Sequence, residues 1–447
     1  MKTTDKYYDV QPFYEKIARV ELNGKFGFID RMGTEIIPLK YQYASSFNSG
    51  LACVHLNGKC GFIDKEGKEI IKFEYDFADD FIENLARVKL NGKWGFINKQ
   101  NKAVVKLIYD FLDPFSEGLA RVKLNNKWGF IDNQGCEVIP IIYNKAWAMI
   151  GGLIRVELNN NQGFIDKQEK KIIQLKYECV DFFIEGLARV KLNAKWGFID
   201  KIGKEIIPII YEDARNFSES LAQVKLNGKW GFINNIGKEV IRFKYDYTDP
   251  FSDDISKVEI KNKYGFINNT GVEIIPLIYD WAQKFNEDLA CVKLNNKYGY
   301  IDKQGSIIIS FNYDGAFGFI DGLSLVKLNG KYGFIDKQGI EIIPLKYESA
   351  NSFKEELSIV SINNKYGFID KQGVEIIQIK YEAQFDFKDG LSIVKLNGKF
   401  GFVDKLGNEV IPFIFDSAED FIKGLSKVLL DKKCGFIDKQ GNCIKLL

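Results

Sequence analysis

A fourteen-residue segment recurs along this chain at a constant spacing, and this periodicity constrains the fold more than any other feature. The segment from Leu85 to Asn98 reads Leu-Ala-Arg-Val-Lys-Leu-Asn-Gly-Lys-Trp-Gly-Phe-Ile-Asn. A close copy begins one period later at Leu119, and others follow at whole multiples of this period, without insertions, at Leu187, Leu221, Leu289 and Leu323. Such a period through a chain of 447 residues predicts a repeat protein, which grows by adding neighbouring units instead of enlarging one core.

The repeat frame divides the chain into three parts. Residues 1–16 are an N-terminal partial repeat, residues 17–254 contain repeats 1 to 7, and residues 255–447 contain repeats 8 to 13, the last of which is truncated. The partial repeat matches the part of a unit that the last repeat lacks. Two interpretations stay open: it caps the array, or it closes the array as its final strand. The boundary at residue 255 follows a change in composition, because Ser takes the second position in five of the last six repeats, Ser256, Ser324, Ser358, Ser392 and Ser426.

Each repeat predicts a three-stranded antiparallel unit. In the first strand of the repeat at Leu85, apolar and basic residues alternate, and Asn91-Gly92 then suits a two-residue type I′ turn into a second strand, Lys-Trp-Gly-Phe-Ile. An Asp-x-x-Gly turn leads to a third strand, Glu-Ile-Ile-Pro-x-x-Tyr, and the connector that follows has room for one helical turn. We therefore expect an all-β protein of thirteen units of about 34 residues in a superhelical or ring-like array. Two tandem β-propellers of seven and six blades are the alternative.

The two-residue turn also predicts the register of the hairpin. It pairs Lys89 with Trp94 and Arg87 with Phe96 on one face, so that basic side chains cover the aromatic rings. A glycine follows this aromatic position in all thirteen repeats, as at Gly95. A position that never carries a Cβ atom indicates that another part of the chain approaches it closely.

Proline in the third strand follows a period of two repeats. It occurs at Pro38 and then in every second repeat from Pro140 onward, at Pro208, Pro276, Pro344 and Pro412. Because proline cannot donate a backbone hydrogen bond, these strands must leave that position unpaired or at an edge. Two explanations stay open: successive repeats lie in alternating environments, or the gene grew by duplicating pairs of repeats.

Composition excludes several classes of protein. With 62 basic and 60 acidic residues the net charge is +2, which gives no broad basic surface of the kind that binds nucleic acid. The N-terminus lacks the apolar run of a signal peptide, and no apolar run approaches the length of a membrane span. The seven cysteines, an odd number without a Cys-x-x-Cys pair, predict neither a disulfide framework nor a zinc site. We expect a cytoplasmic protein without membrane insertion and without a nucleic-acid partner.

The recurring motifs resemble those of a known family. Lys-Trp-Gly-Phe-Ile-Asp at residues 127–132 and 195–200, and Gly-Leu-Ala-Arg-Val-Lys at residues 118–123, are similar to the bacterial WG repeat, also called the KWG repeat. The resemblance covers nearly the whole chain, although Trp itself precedes the glycine only at Trp94, Trp128, Trp196 and Trp230. It implies an all-β repeat protein that serves as an interaction module, and it supplies no catalytic residues to transfer.

No residue pattern predicts catalysis. The only histidine, His55, takes a position that lysine holds in other repeats, and it is interpreted as an exposed surface residue without metal or acid–base partners. The residue that ends each second strand is interpreted as an Asx-turn former, because Asn replaces Asp there in some repeats. These residues are Asp30, Asp64, Asn98, Asp132, Asp166, Asp200, Asn234, Asn268 and Asp302. These turns lack the ligand density of calcium loops. We predict no catalytic, cofactor-binding or metal-binding residue and no cofactor.

Three rows of charged side chains are the remaining candidates for function. The lysine row precedes the aromatic position in twelve of thirteen repeats (Lys25, Lys59, Lys93 and their equivalents), the arginine row is Arg19, Arg87, Arg121, Arg155 and Arg189, and the glutamate row is Glu35, Glu69, Glu137, Glu205, Glu239, Glu273, Glu341, Glu375 and Glu409. Each row is interpreted first as a solvated face of compensating charges and second as a repetitive surface for an extended partner.

Three functional hypotheses follow. The first is a non-enzymatic interaction scaffold that binds protein or peptide partners across its repetitive surface. The alternative is a carbohydrate- or small-ligand-binding module, which requires exposed tryptophan side chains. A hydrolase is the third, and it lacks any nucleophile–base or carboxylate pair. The binding residues and the oligomeric state stay open.

Overall fold

The computed structural model describes Tyr7 and residues 9–82, 84–354, 356–422, 424–431 and 433–446. Within these residues, 52 strands form thirteen antiparallel sheets of four strands each, and there is no helix. Accordingly, the described ranges offer no helix that is long and apolar enough to cross a membrane. The predicted all-β repeat architecture is confirmed.

The sheets follow one another along the chain without exchanging strands. The third sheet consists of a short strand, Phe77–Ala78, a first strand, Ala86–Leu90, a second strand, Lys93–Ile97, and a third strand, Ala103–Tyr109, in that spatial order. The other sheets repeat these strands at whole multiples of the repeat length with ends that differ by at most one residue, except for the last strand, Cys443–Leu446. The sheets occupy residues 9–41, 43–75, 77–109, 111–143, 145–177, 179–211, 213–245, 247–279, 281–313, 315–347, 349–381, 383–415 and 417–446.

The prediction of three strands per unit is incomplete, because it missed the short strand. In the third sheet, Ala78 of this strand pairs with Val88. The predicted helical turn in the connector is wrong for the residues described. In the second sheet Asn48 bridges to Leu51 around Ser49 and Gly50, whose φ angles are 53° and 86°. Two positive φ angles in succession make a type I′ turn, so the connector folds back as a small hairpin.

The glycine after the aromatic position faces a bulge in the third strand. In the third sheet the register shifts so that Gly95 alone lies opposite residues 106–108. A Cβ atom on Gly95 would lie 2.6 Å from the carbonyl oxygen of Val105. The predicted close approach is confirmed, and it comes from the third strand of the same sheet. The predicted hairpin register is confirmed as well, since Arg87 pairs with Phe96.

The hydrophobic core lies between successive sheets. One cluster combines Phe62, Ile71 and Tyr75 of the second sheet with Val88 and Ile97 of the third. Every one of these side chains is at most 4% exposed. A single small sheet cannot bury such a face, so each repeat depends on its neighbours for stability.

The change from Ala to Ser in the later repeats preserves this packing. Ser256 is fully buried, and its hydroxyl donates a hydrogen bond to the carbonyl oxygen of Asp249 at 2.6 Å. Ser426 does the same to Glu419 at 2.6 Å. Because the buried hydroxyl has an acceptor, the substitution adds no unsatisfied polar group to the core.

The chain divides into two compact units, Met1–Tyr211 and Glu212–Leu447. The first contains six sheets and the second seven. The compositional change at residue 255 comes one repeat after this division, and the assignment of residues 17–254 and 255–447 to separate domains stays a prediction. The strand Asp9–Val10 pairs with Ile17–Leu22 and so supplies the short strand of the first sheet. Residues 1–6, 8 and 447 of the predicted terminal segments lie outside the described residues.

The alternating prolines occupy the outer edge of the sheets. The third strand is one of the two edge strands of every sheet, and we call its free side the outer edge. In every sheet but the last, the fourth residue of this strand lies in the bulge, as in the third sheet. Pro38 and Pro208 are exposed there, and so are Gln174 and Arg242 in repeats without proline. The prediction of an edge position is confirmed. Both classes of repeat share this strand pairing, and the two explanations of the alternation stay predictions.

Candidate functional site

Basic side chains of the first strands cover the aromatic rings of the second strands. In the third sheet, Cζ of Arg87 lies 4.8 Å from the ring centroid of Trp94, and Nζ of Lys89 lies 5.4 Å from it. Nε of Arg87 donates to a carboxylate oxygen of Asp79 at 2.6 Å. The predicted cation–π arrangement is confirmed, because both cationic groups lie over the indole ring.

The arginine row also binds the following sheet. Nη1 of Arg87 donates to the carbonyl oxygen of Leu112 at 2.7 Å, and Nη1 of Arg121 donates to that of Ala146 at 2.9 Å. Both acceptors belong to the short strand of the next sheet. These guanidinium groups therefore hold successive repeats together, and their donors are engaged inside the array.

The lysine row is held by carboxylates between the sheets. Nζ of Lys59 lies 2.6 Å from one oxygen of Asp76, whose other oxygen accepts the turn N–H of Gly92 at 3.2 Å. Both contacts keep the pKa of Asp76 below its usual value, and the hydrogen bond from Lys59 contributes most. Lys263 and Asp280 form the same ion pair at 2.6 Å. Charge compensation thus accounts for this row, although such exposed pairs add little stability.

The Asp and Asn residues that end the second strands form turns. Oδ1 of Asp64 accepts the N–H groups of Glu66 and Lys68 at 3.2 and 2.8 Å. Asn98 accepts the equivalent two N–H groups at 3.1 and 2.9 Å. An amide oxygen replaces the carboxylate oxygen in the same contacts, so the negative charge is not required. This geometry agrees with the Asx-turn interpretation.

His55 and Cys60 form a polar pair that the sequence reasoning missed. His55 is half-buried, and its Nε2 lies 3.1 Å from Sγ of Cys60. The prediction of an exposed histidine without partners is wrong, because the imidazole contacts Cys60 and its ring centroid lies 5.0 Å from that of Tyr43. The hairpin register, which pairs the two residues, was the available signal. Burial lowers the pKa of His55 and raises that of Cys60, which favours the neutral forms over a reactive thiolate.

The cysteines show no sign of metal binding or cross-linking. All seven lie in the described ranges and each is free. Burial raises the pKa of the Cys291 thiol to about 12, so it behaves as a small apolar residue. Within the described part of the chain, no group of three or more His, Cys, Asp or Glu side chains is arranged to hold a metal ion.

The third strands expose a row of aliphatic side chains at the outer edge of the sheets. We call it the outer apolar row: Ile36, Ile70, Val240, Ile308, Ile342 and Val410, the second residue of the strand in six repeats. Ile36 is 40% exposed and Ile308 is 43% exposed. Each side chain except Ile308 follows a member of the glutamate row, such as Glu35, which is also exposed. Single exposed aliphatic groups are common on protein surfaces, so it is the recurrence at one position of the repeat that makes this row a candidate contact surface.

An all-β chain whose small sheets share their cores with their neighbours is a β-repeat protein. The profile of the WG-containing repeat matches this sequence thirteen times, at residues 6–26, 26–60, 61–94, 94–128, 128–161, 163–196, 196–230, 230–264, 264–298, 298–332, 332–366, 366–400 and 400–434. The chain therefore belongs to the WG-repeat family. The resemblance to the WG or KWG repeat is confirmed.

Other comparisons give only distant likenesses. No curated protein matches the sequence. Among solved structures, the extracellular domain of a one-component system from B. thetaiotaomicron is 8% identical with a TM-score of 0.23, covering 98% of this chain and 76% of that chain. PorZ, a surface component of the type-IX secretion system of Porphyromonas gingivalis, is 8% identical with a TM-score of 0.23, covering 99% of this chain and 81% of that chain. TM-scores this low carry no argument about function.

Proposed function

We propose that this WG-repeat protein is a non-enzymatic scaffold that binds an extended protein or peptide partner along the outer edge of its sheets. The observation that carries the proposal is the outer apolar row, in which exposed aliphatic side chains recur beside carboxylates. A partner that contacts several repeats gains affinity from each, so weak individual contacts add up. A cytoplasmic location is part of the proposal and rests on the cysteine usage; cell fractionation tests it.

The arginine and lysine rows are less suited to partner binding, because their charges are already engaged. The arginines donate to carboxylates and to backbone carbonyls of the next sheet. Partner contacts there would have to displace these hydrogen bonds, whereas the outer apolar row has no such contacts to lose. We therefore assign the proposed partner surface to the third strands.

The carbohydrate-binding alternative loses its main support. It requires aromatic platforms open to solvent, but Trp94, Trp128 and Trp196 are half-buried and Trp230 is only 8% exposed. Arg189 also lies 4.3 Å from the ring centroid of Trp196. A sugar would have to displace this guanidinium group before it could stack on the indole.

Site-specific photo-crosslinking in native cells tests the scaffold proposal. A photoreactive phenylalanine analogue replaces Ile308 or Ile342 in the outer apolar row, and Thr270, an exposed turn residue, serves as the matched control. We expect discrete protein adducts from the two row positions and none of the same mass from Thr270. Equal adduct patterns at all three positions, or none at the row positions, would refute a partner surface on the third strands.

A further inference from the structure

The second repeat departs from its neighbours at three positions that face one another. It carries Cys53, His55 and Cys60 where the third repeat carries Arg87, Lys89 and Trp94. The guanidinium group and the large ring are thus both missing from this repeat. Sγ of Cys53 instead meets the carbonyl oxygen of Ala78 at 3.5 Å, an acceptor equivalent to the one that Arg87 reaches at 2.7 Å.

The neighbouring repeats show what normally fills this space. The guanidinium of Arg121 lies 5.6 Å from the ring of Phe111, in the short strand of the same sheet. The guanidinium of Arg155 lies 5.7 Å from the ring of Phe182, which follows the short strand of the next sheet. Around Cys53, the repeat positions equivalent to these two rings are held by Tyr43 and Asp80. Two positions that carry aromatic rings around a guanidinium group in the neighbouring repeats therefore carry a phenol, Tyr43, and a carboxylate, Asp80, around Cys53.

In the second repeat a cavity of about 250 Å³ occupies this place. Its lining consists of Tyr43, Ser45, Cys53, His55, Phe77, Ala78, Asp79 and Asp80. The volume is below the roughly 300–1,000 Å³ of pockets that enclose a drug-sized molecule, so it fits a group of side-chain size. Tyr43 and Phe77 are 44% and 38% exposed and are the two exposed residues of this lining, so aromatic side chains lie on its solvent side.

The charge of the cavity comes from Asp80. The neighbouring Asp79 is paired with Arg87, whereas Asp80 forms no ion pair with any residue in the described ranges. Burial raises the pKa of Asp80, the Ser45 hydroxyl opposes this by a hydrogen bond, and Asp79 adds to the rise by repulsion. A half-buried carboxylate of this kind gains from a cation, because pairing restores the interactions that it lost with water.

We propose that this cavity binds the guanidinium group of an arginine side chain from a protein partner. The guanidinium would donate to the carboxylate of Asp80 and to the carbonyl oxygen of Ala78, between the rings of Tyr43 and Phe77. Arginine suits such a site because its planar donors match a carboxylate and its flat face stacks on aromatic rings. The choice of a protein as the source rests on the proposed scaffold function, while the cavity chemistry itself does not.

The ninth repeat provides a natural control. Cys291 also replaces arginine there, but the position equivalent to Asp80 is Gly318 and the position equivalent to His55 is Lys293. Nζ of Lys293 lies 5.4 Å from the ring of Tyr298, so a cation already covers that face. Loss of arginine alone therefore does not create a cation site, and we expect no guanidinium binding in this repeat.

Binding of ethylguanidinium chloride and of a tripeptide with a central arginine, measured by ligand-detected NMR and calorimetry on the full chain, tests the proposal. The variant C53R fills the cavity with the residue that the neighbouring repeats use, and D80N removes the charge but keeps the shape. We expect both to weaken binding by at least about tenfold. The control C291R should stay within about twofold of the wild type, and a tripeptide with neutral citrulline in place of arginine should not bind.

Several results would overturn the proposal. Ethylguanidinium or the arginine tripeptide could fail to bind the wild type, could bind C53R or D80N as well as the wild type, or could bind no better than the citrulline tripeptide. If C53R fails to fold, D80N still decides, because its substitution is nearly isosteric. Failure of the scaffold function is a separate result: adducts would be absent at Ile308 and Ile342 while ethylguanidinium still binds. That outcome would leave the cation site in place and remove its protein source.

Discussion

At the scale of single residues, the glycine opposite the bulge is the most constrained position of the repeat. In the ninth sheet a Cβ atom on Gly299 would lie 2.6 Å from the carbonyl oxygen of Ile309 and 3.0 Å from the ring of Phe311. Neither group can move without disturbing the pairing of the third strand with the second. The recurrence of glycine in every repeat therefore follows from sterics within one sheet and requires no contact with a partner.

Gly299→Ala should destabilise the protein by about 1–3 kcal/mol, because the added methyl group overpacks a rigid site. The matched control is Gly315→Ala in the next sheet, where the nearest atom to the new Cβ is Cβ of Lys327 at 3.4 Å. That variant should be neutral or gain up to about 1 kcal/mol, since alanine restricts the unfolded chain. Urea unfolding followed by circular dichroism measures both, and equal losses would contradict the steric argument.

His55 should titrate at a lower pH than a free histidine, because burial disfavours its charged form. It is the only histidine, so its ring signal in a proton NMR titration needs no assignment. The folded-state pKa lies below the unfolded value of about 6.5. Its contribution to stability is therefore complete above that value and is lost as the pH falls through the folded-state pKa. His55→Gln should remove this part of the pH dependence, and a midpoint at or above the unfolded value would refute the assignment.

At the scale of elements, two-residue turns with positive φ define the hairpins. Asn91 and Gly92 have φ angles of 49° and 79°, as a type I′ turn requires. The sixth repeat has alanine at the glycine position, and Ala194 keeps a φ of 60°. This angle places an ordinary residue in the left-handed region, which costs about 1–2 kcal/mol. The sheet geometry therefore outweighs a local preference there.

Ala194→Gly should stabilise the protein by about 1 kcal/mol, because it relieves this strain. The side chain is exposed, so no packing is lost, and the N–H group still donates to Glu178. The reverse change in the third repeat, Gly92→Ala, should cost a similar amount, since no atom lies within 4 Å of the new Cβ and only φ matters. Urea unfolding measures both variants. If their unfolding midpoints shift in the same direction, the strain argument is wrong.

At the scale of the whole molecule, stability is a sum over neighbouring sheets. Except for the N-terminal cluster around Val20, the core clusters take residues from two consecutive sheets, as Tyr177 of the fifth sheet and Ile199 of the sixth illustrate. Such arrays follow nearest-neighbour energetics, in which a complete run of repeats retains its internal interfaces. The division at Tyr211 falls between two sheets and leaves no strand incomplete.

A chain that ends at Tyr211 should therefore fold by itself with full β structure and a urea m-value of about half that of the whole protein, since m scales with the surface exposed on unfolding. A chain that ends at Leu192 loses the second and third strands of the sixth sheet, including Ile199. It should be less stable than the longer fragment. Circular dichroism and urea titration compare the two, and an unfolded fragment ending at Tyr211 would contradict the nearest-neighbour description.

The sequence alone determined the three longer strands of each unit, the hairpin between the first two and its register, because these depend on short stretches of chain. Alternation of apolar and basic residues and the Asn-Gly pairs placed Arg87 opposite Phe96, and the structure agrees. The periodicity determined the repeat architecture, and the recurring motif Lys-Trp-Gly-Phe-Ile-Asp supplied the resemblance to the family. The repeat occurs thirteen times, so each strand and turn pattern is present in many copies that support the same interpretation.

Only the tertiary structure decided how one repeat meets the next. The short strand is only two residues long, which is too short for an alternation of apolar and polar residues to mark it as a strand. The burial of His55, the contacts of the arginine row and the cavity beside Asp80 all depend on atoms of two sheets at once. Sequence pattern reports which residues share a strand face, whereas the space between packed sheets is set by what the neighbouring sheet places opposite that face.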